Sequence, residues 1–556
     1  MAADTEQDVP APDAAPASSP FAVPIFRSIW TANLVSNFGY IIQSVGAAWL
    51  MTELAQSRTM VALVQASVTL PVMLLALAAG AIADNFDRRK VMLAAQFFML
   101  AVSLVLSVLT ALQLTTPLLL LAMTFLIGCG MALNSPAWQA SVGDMVPKQA
   151  LSAAVAYNSV AFNIARSAGP AVGGAIVAVA NASAAFLANC VSYIGLIVVL
   201  LRWKTDTAPA ELPPERIGSA VASGVRYVAM SPDLVRVLIR SVFFAAGASA
   251  VSALLPLVAR DLMQGGAVTY GVLLGAFGIG AVGGALAGAR LRHRFTPQRL
   301  VGAAALAVAL GVAGVAFSTT PLAAAPALAL AGGGWMMAMA TLNATVQLAS
   351  PRWVVARAIA TYQTAAFGGL AFGAWIFGMI AASYGTRTAL LAAAGLQLAG
   401  LLLGYFIRIP DIDHLNLDPL RRWSEPSTQV PIESRSGPLT ITLTYEIDPS
   451  DIDAFLAAMA ERRRIRRRDG ARRWSLSRDL AQPRLWIESY QVPTWLDYVR
   501  HNYRRTHADA ANLDRIMALH RGEPPVVQRL IEIHPGSVAA SNDPPPPISD
   551  PLPDYP

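Results

Sequence analysis

Cysteine and charge are both scarce in this chain, and each scarcity narrows what it can be. Only two cysteines occur in 556 residues, Cys129 and Cys190, both inside apolar runs where a thiol serves as a small packing residue. Neither a disulfide framework nor a cysteine-based metal site is indicated, and nothing implies a metal or a cofactor. Charged residues make up 13% of the chain, against about 25% in soluble domains. With 55% hydrophobic residues and a mean hydropathy of +0.49, that shortage excludes an ordinary soluble protein and indicates an integral membrane one. Residues 1–24, rich in Ala, Pro and Asp, lack the basic segment and short apolar core of a secretory leader, and read as a disordered tail.

What the chain has in abundance is long apolar sequence. Twelve stretches, at 29–51, 60–83, 91–112, 117–138, 155–179, 182–202, 235–259, 270–289, 299–317, 321–346, 358–382 and 386–407, are long enough to cross a hydrocarbon core about 30 Å thick. The first six recur, degraded, about 205 residues later. Gly80-Ala81-Ile82-Ala83-Asp84 returns as Gly284-Ala285-Leu286-Ala287-Gly288, Leu133-Asn134 as Leu342-Asn343, and Tyr157-Asn158-Ser159 as Tyr362-Gln363-Thr364. A repeat of this length on apolar helices marks a two-halved transporter whose substrate sits at the seam. The repeat fails where Asp84 becomes Gly288 and Gly169-Pro170 becomes Ala374-Trp375, which puts the moving, energy-coupled parts in the first half.

The expected organisation is a first six-helix half at 25–203, a polar inter-half strap at 204–233, a second half at 234–409, a linker at 410–437, a soluble domain at 438–534 and a Pro-rich tail at 535–556. Short loops on one side carry Arg88, Arg89, Lys90, Arg202, Arg290, Arg292, Arg294 and Arg408, whereas the other side has Arg58, Arg260 and Arg387. By the positive-inside bias both termini are cytoplasmic, in a multi-pass protein of the cell (inner) membrane.

In the soluble segment, 439–447 alternates as a half-buried strand, and 449–468 has helical spacing with Phe455, Met459 and Ile465 as core candidates. Strands follow at 472–480 and 484–492, then a helical region 494–519 and a last strand 526–533, a βαββαβ order of ferredoxin-like type. Its open sheet face would permit self-association. The run Arg462 to Arg468 reads as a solvated basic helix face near anionic lipid; without interleaved aromatics it does not point to nucleic acid.

Gly80 to Lys90 lies between the second and third spans. A glycine at 80 lets a neighbouring helix come close, and Asp84 with Arg88 and Arg89 can form a charge cluster that latches one arrangement of the bundle; a merely solvated basic turn is the alternative. In the fifth span, Pro170 interrupts the backbone ladder while Gly169, Gly173 and Gly174 permit close packing, so this segment can bend or simply pack. The first stretch resembles the loop 2–3 signature G-x-L-A-D-R-x-G-R-K of the major facilitator superfamily. It departs at Asp87, where the family has Gly and where Asp also tolerates a left-handed turn. Gly169 to Gly174 resembles that superfamily's G-P-x-x-G-G antiporter motif. With Ala132 to Ala137, Met145-Val146-Pro147 and Gly284 to Arg294, the likeness extends to the branch containing the enterobactin exporter and the transmembrane secretion effectors.

That resemblance implies an all-α membrane fold of two six-helix halves, here with a small α+β ferredoxin-like cytoplasmic domain. It also implies proton-driven export of a small molecule such as a siderophore, drug or other secondary metabolite, by alternating access. Asp144, after the fourth span, is a candidate to join the Asp84 cluster. Arg166, about 16 Å along the fifth span, must face protein or water, either as an anion-selecting cavity residue or as a structural pair. Further cavity candidates are Asn37, Asn134, Asn163, Asn343, Gln347 and Tyr362, each either a substrate contact or interhelical glue. The soluble segment resembles the antibiotic-biosynthesis-monooxygenase type of α+β barrel. Cargo modification in a pocket holding His501, His507, Trp474, Trp486, Tyr490 and Trp495 is therefore one alternative to plain export, and lysolipid flipping, which the resemblance of the membrane part to the superfamily also allows, is another.

Overall fold

The computed structural model describes residues 19–533, apart from 148–149, 204–216, 352, 412–416, 418–419, 421–422, 424 and 427. The first half comprises α1 (Pro24–Leu54), α2 (Arg58–Asn85), α3 (Arg88–Ala111), α4 (Pro117–Met145), α5 (Leu151–Val179) and α6 (Ala182–Arg202). After α7 (Ile217–Ala229) the second half comprises α8 (Pro232–Leu257), α9 (Ala267–Leu291), α10 (Pro297–Phe317), α11 (Pro321–Leu348), α12 (Val355–Tyr384) and α13 (Thr386–Phe406). Proline opens α4, α8, α10 and α11, where its missing N–H is no loss, and Thr116, Asn181 and Thr320 accept backbone N–H bonds as N-caps. Among the described residues, eleven helices are long and apolar enough to span a membrane; α5 contributes a shorter described apolar stretch, Ala168–Val179.

The repeat is visible as packing. Within the first half α1 lies on α5 and α6, α2 on α4, and α3 on α4 and α6. Advancing each label by seven gives the pairs of the second half, α8 on α12 and α13, α9 on α11, and α10 on α11 and α13. The halves meet along α2 with α12 and α5 with α9, which the same operation exchanges.

The expected polar strap is not entirely irregular. Ser223, Gly224, Tyr227 and Val228 recur on one face of α7 and are buried, and α7 packs on α12, α2 and α8, so part of the strap is a helix seated on the bundle. Arg357 Nη1 donates to Ser223 Oγ at 3.0 Å and ties it to α12.

The soluble domain comprises β1 (Leu439–Glu446), α14 (Ile452–Arg468), β2 (Arg472–Arg478), β3 (Leu485–Val492), α15 (Trp495–Tyr503), α16 (His507–Leu519) and β4 (Val527–Ile531). Its antiparallel sheet has the order β2-β3-β1-β4, with Leu439 opposite Val492 and Leu443 opposite Val527. Alternate residues of β1 (Leu439, Ile441, Leu443, Tyr445) pack against Phe455 and Met459 of α14, Tyr498 of α15 and Ile516 of α16. The single helical region expected at 494–519 is two helices, because Thr506 and Asp509 form a capping box that starts a new one.

Candidate functional site: a seam between halves and a docked domain

At the end of the bundle distal to the soluble domain, α8 runs into a π-helical turn, Val258–Leu262, which carries Asp261. One carboxylate there gathers groups from both halves. Arg58 Nε of α2 donates to Asp261 Oδ2 at 2.9 Å, Arg260 Nε to Oδ1 at 2.8 Å, and Thr386 Oγ1 to Oδ2 at 3.2 Å. Arg260 Nη1 also donates to the Thr52 carbonyl at 2.7 Å, and Thr59 Oγ1 to the Gly378 carbonyl at 3.1 Å. The side chain of Asp261 is 17% exposed and that of Arg58 is 39% exposed, so solvent weakens the pair but does not erase it.

On the other arm of this end, Gly174 of α5 faces Gly271 of α9. A Cβ at 174 would sit 2.7 Å from the Ala267 carbonyl oxygen and 3.0 Å from Gly271 Cα, so the crossing is one of backbone against backbone. Gly169 and Gly173 turn the other way, toward Ile41, Ile42 and Val45 of α1, and Pro170 is buried.

The 80–90 stretch lies at the proximal end, and two of its expectations need correction. Gly80 is not a close-approach position, since a Cβ there would meet nothing within 4 Å. Asp87 is not left-handed: its φ is −56°, and its side chain accepts from the N–H groups of Arg89 (2.9 Å) and Lys90 (3.4 Å), so the residue departing from the signature is the N-cap of α3. Arg89 donates to the Leu200 and Leu201 carbonyls at 2.8 and 2.9 Å, closing the C-terminal end of α6 with a cation where the helix dipole favours one. Arg88 is half-buried. Asp84, Asp144, Asn163 and Arg166 stand on helical backbone, but their side chains lie outside the described residues.

Of the cavity candidates, Asn37 and Asn343 are half-buried and Gln347 is exposed. Asn134 is buried and accepts from Gln96 Nε2 at 3.2 Å, and Tyr362 donates to the Met339 carbonyl at 3.3 Å. Gln43, with Ser103, Asn189 and Tyr193, forms a buried polar knot joining α1, α3 and α6. Sequence reasoning missed the Asp261 network and Arg240, a buried arginine of α8 whose guanidinium donates to the Gly400 carbonyl of α13. An arginine inside an apolar run was signal enough for Arg240, as it was for Arg166. Asp261 gave no such signal, because the partners that make it a junction, Arg58 and Thr386, are distant in sequence.

The soluble domain grips the proximal end through arginine–aromatic stacks. The Arg468 guanidinium lies 4.9 Å from the Tyr227 ring of α7, Arg504 lies 4.1 Å from the Trp353 ring before α12, and the two aromatics meet edge-on at 5.3 Å. The basic run is also corrected here: Arg462 and Arg466 point inward and are 3% and 1% exposed, because the i, i+4 spacing puts them on the sheet-facing side of α14. Arg466 Nε donates to Glu488 Oε1 at 3.0 Å, Tyr445 Oη to Oε2 at 2.9 Å, and Trp474 Nε1 to Oε1 at 3.0 Å. These groups occupy space between the sheet and α14.

Burial alone would raise the Glu488 carboxyl, but the Arg466 and Arg462 guanidiniums outweigh it and bring it to about 2. Burial, then Arg466, hold His501 well below its ordinary value, so it is neutral. Both depressions act in one direction. Acidification from about pH 6.5 protonates the unfolded His501 first, and below pH 4.5 the unfolded Glu488, so stability falls with pH by at most about 1.4 kcal/mol per unit for each group. Protection factors over 439–531 of the full chain, with the slower intrinsic exchange at lower pH divided out, should therefore fall between pH 6.5 and 5, and His501→Gln should flatten that slope; a slope unchanged in the variant would remove His501 from the account.

A family model described as transmembrane secretion effector matches residues 15–536. The staphyloferrin A transporter of Staphylococcus aureus is 25% identical over 259 residues, 46% of this chain and 64% of that protein. Macrolide efflux protein A of Streptococcus pyogenes is 23% identical over 271 residues, 46% and 66% respectively, so the chain spans less than two thirds of the length of these curated relatives. A bacterial homologue of the human lysosomal transporter Spinster superposes with a TM-score of 0.57 at 11% identity, covering 70% of this chain and 97% of that one. An auto-inhibited POT family peptide transporter gives 0.58 at 13% identity, with 73% and 99% covered. At such identities the likeness is one of fold.

Proposed function

Since this chain belongs to the transmembrane secretion effector family of major facilitator transporters, and is a membrane transporter of that type, we propose that it exports a small molecule by alternating access, driven by the proton gradient. The observation that carries this reading is the polar network on Asp261. It joins the two repeat-related halves at the distal end of the α2/α12 seam, where a latch that opens and closes would sit. The efflux and siderophore-transport relatives favour a secondary metabolite or drug as cargo. In this reading the soluble domain and both termini are cytoplasmic, as the arginine bias favours, and the latch faces outward in the cell (inner) membrane. Asp84, Arg88, Arg89 and Asp144 form the inner counterpart of the latch. Asn37, Asn134, Asn163, Arg166, Asn343, Gln347 and Tyr362 line the cargo path, and the open face of the sheet is the surface for self-association.

The latch is tested with spin labels at the exposed positions Gln56→Cys and Tyr384→Cys, in a background where Cys129 and Cys190 are serine. Asp261→Asn should shift the distal distance distribution toward longer separations. A partly exposed charge network of this kind contributes roughly 1–2 kcal/mol, or about a 5–30-fold change in the open-to-closed ratio. Identical distributions in the two proteins would defeat the latch, and export insensitive to an uncoupler would defeat proton drive.

A further inference from the structure

We propose that the soluble domain holds one compact monovalent anion, of the chloride class, in a cavity between α14, α15 and α16, and that the anion fastens this domain to its linker. The cavity is lined by Arg462, Arg466, His501 and Arg505, with Leu420 of the linker at its edge. Its free volume of about 10 Å3 is room for the centre of one water-sized guest.

The argument for an anion rests on orphan donors and on charge. Nε of Arg462 and Nη2 of Arg466 are buried and have no hydrogen-bond partner among the described residues, although both side chains are almost wholly removed from solvent. Arg466 spends Nε on Glu488 and directs Nη1 at His501 Nε2, 3.0 Å away. Asp469 and Asp509 also line the cavity, but Arg468 engages them, at 2.8 and 2.9 Å. Among the described residues the cluster thus sets four guanidiniums (Arg462, Arg466, Arg468, Arg505) against three carboxylates (Asp469, Glu488, Asp509), and His501 adds no positive charge because burial and Arg466 keep it neutral. One positive charge is left over in a nearly dry place. A water molecule would satisfy the donors but leave the buried charge uncompensated; a halide satisfies both.

The position gives the guest a consequence. The Leu420 N–H donates to the Arg505 carbonyl at 2.9 Å, and Trp423 of the same linker packs edge-on against Tyr498 and Tyr503 of α15. The carboxylates beside the cavity fix Arg468 over Tyr227 of α7. Filling the cavity therefore stiffens both attachments of the domain to the transporter.

The test is hydrogen exchange of the full-length protein in nanodiscs, at constant ionic strength, with sodium chloride replaced stepwise by sodium gluconate, which is too large to enter. Chloride should slow exchange of peptides covering 452–468 and 495–519 about tenfold, and bromide should do the same. Arg462→Met, which removes the surplus charge without shrinking the side chain much, should exchange slowly in either salt, and Arg505→Gln should likewise lose the chloride response. Equal exchange of the unaltered protein in chloride and gluconate would overturn the proposal, as would protection by phosphate without protection by chloride. A chloride response that survives in both variants would place the anion elsewhere and equally overturn it.

Discussion

Replacing Glu488 with glutamine is expected to unfold the soluble domain while leaving the membrane helices intact. The carboxylate is fully buried, accepts from Arg466, Tyr445 and Trp474 at 3.0, 2.9 and 3.0 Å, and its charge also acts on the buried Arg462. An amide keeps the shape but removes the charge and presents an N–H2 group to donors, leaving two buried guanidiniums uncompensated. Breaking such a pair from one side costs about 3–5 kcal/mol, a large share of the roughly 5–15 kcal/mol that holds a domain folded. Circular dichroism should lose only the contribution of 439–531, and exchange protection should collapse there and persist in α1 to α13. Removing both charges, as Glu488→Gln with Arg466→Met, should recover much of the loss, since Arg466 is then no longer left as a buried charge without its partner. A singly substituted domain with undiminished protection would show that the pair does not stabilise it.

Gly174→Leu is expected to stop transport almost completely without preventing insertion or folding of either half. The atoms a side chain would meet there belong to the backbone of α9, the Ala267 carbonyl and Gly271 Cα, so no rotamer change can make room and the helices must part. Overpacking of this sort costs about 1–3 kcal/mol or more, which shifts a closed seam toward its open form by roughly 5- to 150-fold. Gly271→Leu should have the mirrored effect from the other half. Gly80→Ala is the matched control, because its Cβ would enter empty space, and it should transport within about twofold of the unaltered protein. Export rates in vesicles and the spin-label distances at the distal end read the two consequences separately; normal transport by the Gly174→Leu protein would mean that α5 and α9 do not approach during the cycle.

Much of the architecture could be read from residue order because it depends on local, repetitive signals. Apolar length marked the spans, alternation marked β1, and a repeat at fixed spacing marked two like halves, whose helix pairs recur in the packing. The site was less legible for a physical reason. Arg58 and Asp261 lie 203 residues apart and become partners only because α2 starts at the face where α8 ends. Asp87 looked like a tolerated oddity of a turn, whereas its value lies in an N-capping bond that only the start of α3 defines. The arginines of α14 read as a single solvated stripe, but a helix turns its fourth residue back to the same side, and two of the six arginines in that run face the sheet.

The stacks of Arg468 on Tyr227 and Arg504 on Trp353 have a use beyond the cell. A transporter of this size is hard to align in electron micrographs, since its helices are hidden in a featureless disc of detergent or lipid. This one carries its own protruding landmark, clasped by side chains to α7 and to the start of α12. Particle images could be oriented by that landmark without an antibody fragment, and any swing of the second half should be recorded directly in the angle at which the landmark stands to the disc.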